Sequence, residues 1–286
     1  QVNMAKFEIT GNKKLSGKVK IAGNKNSVLP IMAACLLTDQ TCYLENVPEI
    51  SDVDVMANLL ELAGVVVQKE EKGKLKITAK DLKGAIFPKE LTEKLRASIL
   101  LLGPMLARAG EVNMGYPGGD VIGRRPLDSH VQALEAMGAR ILKEDDMVRA
   151  TADKLTGANI FLEEASVTAT ENAIMAAVKA EGETQINRAA SEPHVIALCN
   201  FLVKMGAKIA GIGSNVLTIA GVTNLTGATH EIRSDHIEVG TFAILAAVAA
   251  SELEISPIVA QDLQMILLTL KKFGVDFKVS GDTLTV

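Results

Sequence analysis

Residues 201–209 read FLVKMGAKI, and close copies of this stretch recur as LLELAGVVV at 59–67, ALEAMGARI at 133–141 and TLKKFGVDF at 269–277. The glycines of the four copies follow one another at intervals of 74, 68 and 68 residues. In each copy the glycine comes directly after a helical turn, where it ends the helix, and a β-branched run follows. A period of about 70 residues predicts a pseudo-symmetric protein built by duplication of one unit.

The segments between these copies repeat as well. Each unit opens alike, with LSGKVKI at Leu15, LTGANIF at Leu155, LTGATHE at Leu225 and a more divergent copy near Leu82. The middle of each unit is a short, almost wholly apolar helix, as in SVLPIMAACLL and GTFAILAAVAA. One unit therefore reads strand, helix, strand, helix, strand. Because helices that are apolar on all sides must lie inside, we expect an α/β fold whose strands wrap around them.

The composition limits the classes of protein to which the chain can belong. Its 286 residues allow about two domains and a large core. A net charge of −4 and an aromatic content of 3% without Trp argue against nucleic acid and membrane partners. No low-complexity linker is present, so we expect the domain boundaries at short crossings near 22–23 and 231–234.

The cysteines and histidines do not have the spacing of metal ligands. Cys35, Cys42 and Cys199 lie in apolar stretches, which favours buried free thiols and a reducing cytoplasm. Among the four histidines no HExxH motif occurs, so we expect neither a metal nor a cofactor. The opening QVNMAKFEITG has no apolar signal segment, and residues 1–3 are interpreted as an addition before Met4.

The loop YPGGDVIGRRPLDSH, residues 116–130, is the first candidate site. Its paired glycines permit left-handed backbone and close approach to a ligand, and its prolines fix the entry and exit of the loop. Arg124 and Arg125 offer planar guanidinium groups suited to carboxylate or phosphate. A solvated turn is the alternative interpretation.

Polar residues also open several of the apolar helices. Lys25 begins a helix after a glycine turn, where the helix dipole disfavours a cation, and Asn26 beside it is a good N-cap. Arg96 opens another helix, either as a functional cation or as an arginine at the helix edge. Glu192 and Asp235 are most simply caps or first-turn acids. Symmetric units would gather these residues at one cleft.

Five segments carry a resemblance to a known family: LSGKVKIAGNKNSVLPIMAACLL, LRASILLLGPMLARAG, YPGGDVIGRRPLDSH, ASVTATENAIMAA and RAASEPHVIALCNFLVKMGA. In combination they resemble the enolpyruvyl transferases, most closely the branch that acts on UDP-N-acetylglucosamine. The resemblance implies an inside-out α/β barrel fold built from βαβαββ repeats, with the active site in a cleft between two domains. Residues 23–233 would be a three-repeat catalytic domain, and 1–22 plus 234–286 a partial second domain.

The resemblance also implies roles for individual residues. Lys25 matches the lysine that contacts phosphoenolpyruvate, and Asn26 the residue that contacts the amino sugar. Arg96 and Arg125 match two positive groups of the substrate site, and Asp235 is expected to contact substrate. Two strips match the residues that hold the uridine nucleotide: Arg125, Pro126, Leu127, Asp128 and Ser129, then Ala165, Ser166 and Val167.

Asp120 stands at the tip of the loop, where many family members carry a reactive cysteine. A carboxylic acid can still deliver a proton to the enol carbon of phosphoenolpyruvate, so Asp120 is the expected general acid, with Lys25 and Arg125 stabilising charge. A carboxylate is a far poorer nucleophile toward an epoxide than a thiolate, so we expect insensitivity to fosfomycin.

Three departures from the family pattern stand out. Glu164 occupies a position that is normally basic, and His194 one that is commonly acidic. Family members continue well beyond Val286, with six repeats where four are found in this chain. The missing part carries the aspartate that removes the proton from the sugar hydroxyl. We therefore expect a C-terminally truncated form with little or no turnover by residues 1–286 alone, and self-association through the exposed apolar face.

The sequence leaves two alternatives open. Glu164 is compatible with a paralogous enolpyruvyl transferase that uses another acceptor hydroxyl. The incomplete repeat set is compatible with a non-catalytic module that binds a UDP-sugar.

Overall fold

A computed structural model describes residues 6–11, 13–84, 86–120, 122–123, 125–144, 146–249 and 252–286. The chain divides into two compact units. One comprises Gln1–Ala22 and Ser234–Val286, and the other Gly23–Arg233. Within the described ranges, no helix is both long and apolar enough to cross a membrane.

The strands are short and lie, in chain order, at β1 (Ser16–Lys20), β2 (Thr41–Glu45), β3 (Val66–Lys69), β4 (Leu75–Thr78), β5 (Ile86–Phe87), β6 (Glu111–Gly115), β7 (Arg140–Glu144), β8 (Met147–Thr151), β9 (Asn159–Phe161), β10 (Glu183–Asn187), β11 (Lys208–Ala210), β12 (Val216–Ala220), β13 (Thr229–Glu231), β14 (Glu252–Ser256), β15 (Lys278–Ser280) and β16 (Thr283–Thr285).

The α-helices are α1 (Lys25–Ala34), α2 (Ser51–Leu62), α3 (Lys89–Thr92), α4 (Leu102–Ala109), α5 (Asp128–Ala136), α6 (Val167–Ala177), α7 (Pro193–Lys204), α8 (His236–Val248) and α9 (Gln264–Lys272). Among the described residues, three 3₁₀ helices, Cys35–Leu37, Arg96–Leu101 and Ala260–Leu263, adjoin α1, α4 and α9.

The described strands form four sheets that share one strand order. The orders are β9-β10-β12-β11, β5-β6-β8-β7, β13-β2-β4-β3 and β1-β14-β16-β15. In every sheet the first two strands are parallel, and the other pairings are antiparallel. Each sequence repeat therefore ends in two strands, where the residue pattern predicted only one.

Strand exchange between sequence repeats was not predicted. β1 precedes α1 and β2 along the chain, but it pairs with β14. The parallel partner of β2 is β13, which comes near the end of the unit Gly23–Arg233. This pairing closes that unit on three complete sheets and leaves β1 in the other unit.

Helices fill the interior of the unit Gly23–Arg233, as the apolar helices predicted. Eight consecutive residues of α1 and nine of α6 are buried. The strands alternate between buried and exposed residues, for example along β2 and β8. One face of each such strand therefore packs on the helices, and the other faces water.

The four signature glycines have the predicted backbone conformation. Each of them directly follows the C-cap residue of a helix. Their φ values are 85°, 96°, 104° and 74° at Gly64, Gly138, Gly206 and Gly274. A side chain at such left-handed positions would be strained, which explains why glycine recurs there.

The unit that contains α8 and α9 has an exposed apolar face. Val248, Met265 and Phe273 are 77%, 72% and 83% exposed. They line a groove of about 540 Å³ between the two helices. Single exposed apolar residues are common, but a contiguous groove of them is unusual on a protein surface.

Candidate functional site

Lys25 lies at the first position of α1, as predicted, but the helix cap is Asn24 and not Asn26. The Oδ1 atom of Asn24 accepts a hydrogen bond from the Ser27 amide at 2.9 Å. The prediction of Asn26 as the cap was wrong, because the helix begins at Lys25, two residues earlier than a cap at Asn26 would require. Asn26 is left half-buried inside the first turn.

A carboxylate offsets the charge of Lys25 at this helix start. The Nζ atom of Lys25 lies 3.5 Å from Oδ1 of Asp52, in the first turn of α2. Half of the Lys25 side chain is exposed, so the ion pair is weak and an anionic ligand can compete for it. In the sequence Asp52 is indistinguishable from any other first-turn acid.

Arg96 holds the backbone of the predicted substrate loop. It opens the 3₁₀ helix, and its Nη2 atom donates to the carbonyl oxygens of Arg125 at 2.9 Å and Pro126 at 3.4 Å. Burial, and then the nearby charge of Arg125, lower the pKa of the Arg96 guanidinium. Arg96 and Arg125 are therefore neighbours, and two adjacent cations favour an anion between or beside them.

Paired glycines attach the first half of the loop to the turn that precedes Arg96. The amides of Gly118 and Gly119 donate to the carbonyl oxygens of Thr92 at 3.0 Å and Glu93 at 2.8 Å. A Cβ atom on Gly118 would lie 2.0 Å from the oxygen of Glu93, so only glycine fits. Asp120 follows as an exposed residue. The predicted anion group Arg124 lies outside the described residues.

The first nucleotide strip contains both exposed and buried residues. Arg125 and Pro126 are exposed, whereas Leu127 and Ser129 are buried at 5% and 7% exposure. Asp128 begins α5 and forms an ion pair of 2.8 Å with Lys143 on β7. Only part of this strip therefore presents side chains to a ligand.

The second nucleotide strip is the entrance of α6. Ser166 is its N-cap, and its Oγ accepts from the Ala169 amide at 3.4 Å. Glu164 is exposed, with its carbonyl oxygen bonded to the Ser166 amide at 2.8 Å. Arg188 donates from Nη1 to the carbonyl of Glu163. A basic residue thus lies beside the strip, although the sequence places it 22 residues beyond Ser166.

A buried histidine joins the two strips. His130 Nε2 lies 3.1 Å from the hydroxyl of Thr168, which follows the second strip on α6. Burial, and then the charge of Arg96, lower the pKa of His130 to about 3, so the ring is neutral at pH 7. The sequence analysis considered His130 only as a metal ligand. No pattern in the sequence indicated that it would connect the two strips.

A second buried group lies deeper on α6. Glu171 is 1% exposed, and burial followed by the charge of Glu192 raise its pKa well above the usual range. Glu192 lies at the N-cap position of α7, yet its side chain accepts no cap hydrogen bond. The prediction of Glu192 as a cap is therefore correct in position only. His194, in the first turn of α7, is buried.

Asp235 belongs to the other unit, where it caps α8. Its Oδ1 accepts from the amides of Ile237 at 2.9 Å and Glu238 at 3.3 Å. The cap expected from the sequence is confirmed.

Within the unit Gly23–Arg233 the structure therefore gathers most of the predicted residues. Arg96 contacts the backbone of Arg125 and Pro126, and His130 connects the first strip to the second. The helix α1, which begins with Lys25, packs against the 3₁₀ helix that begins with Arg96. The result is a set of cations and helix N-termini on adjoining elements, an arrangement suited to anionic groups.

Residues 9–286 match the family model of EPSP synthase (3-phosphoshikimate 1-carboxyvinyltransferase). A UDP-N-acetylglucosamine 1-carboxyvinyltransferase of Treponema denticola is 48% identical over 99% of this chain and 66% of its own length. The enzyme of that name from Bradyrhizobium diazoefficiens is 48% identical over 98% of this chain and 65% of its own. The chain thus spans about two thirds of the length of these relatives.

Solved structures show the same fold. The enolpyruvyl transferase NikO of Streptomyces tendae superposes with a TM-score of 0.85 at 22% identity, over 96% of this chain and 66% of that protein. EPSP synthase of Acinetobacter baumannii gives a TM-score of 0.72 at 21% identity, over 96% and 64% of the two chains.

Proposed function

Because this chain belongs to the EPSP synthase family of enolpyruvyl transferases, we propose that it transfers the enolpyruvyl group of phosphoenolpyruvate to the 3-hydroxyl of UDP-N-acetylglucosamine. This reaction is the first committed step of peptidoglycan synthesis. One observation carries the proposal: the relatives named for this activity align with 95–99% of the chain at 42–48% identity. The three free, buried cysteines suit a cytoplasmic enzyme.

The finer architecture belongs to the same proposal. The four sheets of one strand order, with buried helices inside, support an inside-out α/β barrel of βαβαββ repeats. The four sheets would be four of the family's six repeats. The unit Gly23–Arg233 would then be the three-repeat catalytic domain, and the other unit part of a second domain.

The substrate groups are assigned to residues by their charge and position. Lys25 and Arg125 would bind the phosphate and carboxylate of phosphoenolpyruvate, with Arg96 beside them. Asn26 would contact the amino sugar, and Asp235 the substrate from its own unit. The uridine nucleotide would lie along the two strips: Arg125, Pro126, Leu127, Asp128, Ser129, and Ala165, Ser166, Val167.

The proposed reaction is an addition followed by an elimination. Asp120 gives a proton to the methylene carbon of phosphoenolpyruvate. The sugar oxygen bonds to the neighbouring carbon as its own proton passes to a general base. Phosphate then leaves while the new methyl group loses a proton, which restores the double bond as an enolpyruvyl ether. Lys25 and Arg125 stabilise the charge that moves onto the phosphate.

The test measures phosphate release in a chimera that joins residues 1–286 to the remaining third of the Treponema denticola relative. We expect release from phosphoenolpyruvate that depends on UDP-N-acetylglucosamine. Asp120→Asn and Arg125→Ala should abolish it, whereas Arg140→Ala, which removes another exposed arginine, should not. Asp120→Cys should keep the activity and confer sensitivity to fosfomycin.

Two alternatives give different outcomes in this assay. Turnover with another hydroxyl acceptor but not with UDP-N-acetylglucosamine would identify a paralogue. The observation that favours this alternative is the exposed Glu164, whose carbonyl oxygen accepts from the Ser166 amide at the second strip. Calorimetric binding of the UDP-sugar without turnover in the chimera would identify a non-catalytic module.

The apolar face of α8 and α9 supports self-association. Its groove is lined by apolar side chains and one threonine, so two copies can meet there without like-charge repulsion. We expect dimers by light scattering, and their loss on Val248→Glu. A monodisperse wild-type monomer would contradict this part of the proposal.

A further inference from the structure

The side chain of Asn172 is buried inside the unit Gly23–Arg233 and bonds to three residues on two other segments, the continuous helical stretch 96–109 and α5. It is fully buried on α6. Its Oδ1 accepts from the amide of Gly103 at 2.8 Å. Its Nδ2 donates to the carbonyl oxygen of Ile99 at 2.9 Å and lies 3.0 Å from Nδ1 of His130. Both amide hydrogens and one oxygen lone pair are therefore used.

These contacts determine the orientation of the amide and the tautomer of the histidine. Gly103 can only donate and Ile99 can only accept, so the oxygen and nitrogen of Asn172 cannot be exchanged. Nδ1 of His130 must then accept from Nδ2. The ring proton is on Nε2, from where it donates to the hydroxyl of Thr168 at 3.1 Å.

Each partner belongs to a segment of the proposed substrate site. Ile99 lies on the 3₁₀ helix that Arg96 opens, and His130 follows the first nucleotide strip on α5. Thr168 directly follows the second strip. A Cβ atom on Gly103 would lie 2.5 Å from the carbonyl oxygen of Asn172, so the helices approach as closely as the backbone allows.

We propose that Asn172 and His130 are positioning residues that hold Arg96 and the two nucleotide strips in one arrangement for the UDP-sugar. The proposal rests on the proposed function. The network touches neither Lys25 nor α1 through any of these bonds. Loss of the bond between His130 and Thr168 frees the second strip but leaves the contacts of Asn172 with the Arg96 segment in place. It should therefore weaken binding of the nucleotide sugar and leave binding of a simple anion at Lys25, Arg96 and Arg125 unchanged.

Thr168→Val tests the link between the strips in the full chain. The change removes one acceptor at a half-buried position, and we expect the Kd for UDP-N-acetylglucosamine in calorimetry to rise about three- to tenfold. The Kd for inorganic phosphate should stay within about twofold. Thr184→Val is the matched control, because the buried hydroxyl of Thr184 has no hydrogen-bond partner among the described residues.

Asn172→Asp tests the network without relying on the substrate. A carboxylate cannot donate to His130, so the ring should take up a proton on Nδ1 and pair with it. Nitrogen-15 NMR should show a neutral Nε2–H ring in the wild type and an imidazolium at pH 7 in the variant.

The outcomes separate this inference from the proposed function. No binding of UDP-N-acetylglucosamine by the wild type would overturn the proposed function and, with it, the role in positioning. Equal affinities of the wild type and Thr168→Val would overturn the positioning role alone. An Nδ1–H ring in the wild type would overturn the network itself.

Discussion

Replacing His230 by leucine should stabilise the unit Gly23–Arg233. His230 lies on β13 at 7% exposure, and its ring meets that of Phe201 edge-on, with centroids 5.4 Å apart. Neither ring nitrogen has a hydrogen-bond partner among the described residues. Burial, and then the charges of Lys204 and Arg233, lower the pKa of His230 to about 4.

The size of the effect follows from these contacts. Each buried donor or acceptor without a partner costs about 1–3 kcal/mol, and leucine removes one of each. Loss of the edge-to-face ring contact costs about 0.5–1.5 kcal/mol in return. The two ranges leave a net gain between about 0.5 and 5.5 kcal/mol at pH 7, which raises the melting temperature above that of the wild type.

The gain should depend on pH in a defined direction. The pKa of His230 is about 4 in the folded chain, below the ordinary value of 6.5, so the unfolded chain binds the proton first. Stability of the wild type is therefore lost as the pH falls from 6.5 to 4. The advantage of His230→Leu should grow over the same range.

Urea unfolding followed by circular dichroism measures both effects, since the chain has no Trp for fluorescence. His130→Leu is the matched control, because both nitrogens of His130 are hydrogen-bonded. That variant should lose about 1–3 kcal/mol. A His230→Leu midpoint at or below that of the wild type would show that the ring has partners and would refute the reasoning.

Three further predictions concern other buried groups. Glu171→Gln should raise the urea midpoint at pH 8 and less so at pH 5, because a raised pKa destabilises the folded state only as the pH rises above the ordinary value; an equal effect at both pH values would contradict this. Gly118→Ala should destabilise the chain by about 1–3 kcal/mol and expose the loop to protease, because its Cβ would clash with the carbonyl oxygen of Glu93; Gly11→Ala, whose Cβ meets no neighbour and whose φ is not left-handed, should cost less. A thiol reagent should label no cysteine in the folded chain and three after unfolding, because all three are buried and the pKa of Cys199 is raised by burial to about 12.

Local elements were predictable from the sequence because they depend on neighbours along the chain. The left-handed glycine at the end of a helix, as at Gly138, is required by the turn itself. The apolar second half of α6, from Ala173 to Ala177, was sufficient to place it inside. The assignment of Asn26 as a cap failed because two asparagines flank Lys25, and only backbone geometry shows that Asn24 is the cap.

Contacts between distant segments were not predictable in the same way. Asp52 beside Lys25, Arg188 beside the second strip, and the Asn172–His130 network join residues far apart in the sequence. A single sequence carries no signal for such pairs, because an asparagine or histidine in an apolar helix has the same local pattern whether or not it has a partner.

The sequence by itself determined the repeat, its helix ends, the interior position of the apolar helices in the unit Gly23–Arg233 and the family. For α8, which was expected inside on the same grounds, that expectation was wrong, since only four of its residues are buried. Only the tertiary structure decided which strands pair, since β1 and β13 open corresponding repeats and yet β1 pairs with β14 and β13 with β2. It also decided which polar side chains meet. The physical reason is that helix caps and glycine turns are local interactions, whereas strand pairing and buried hydrogen bonds depend on segments that only folding brings together.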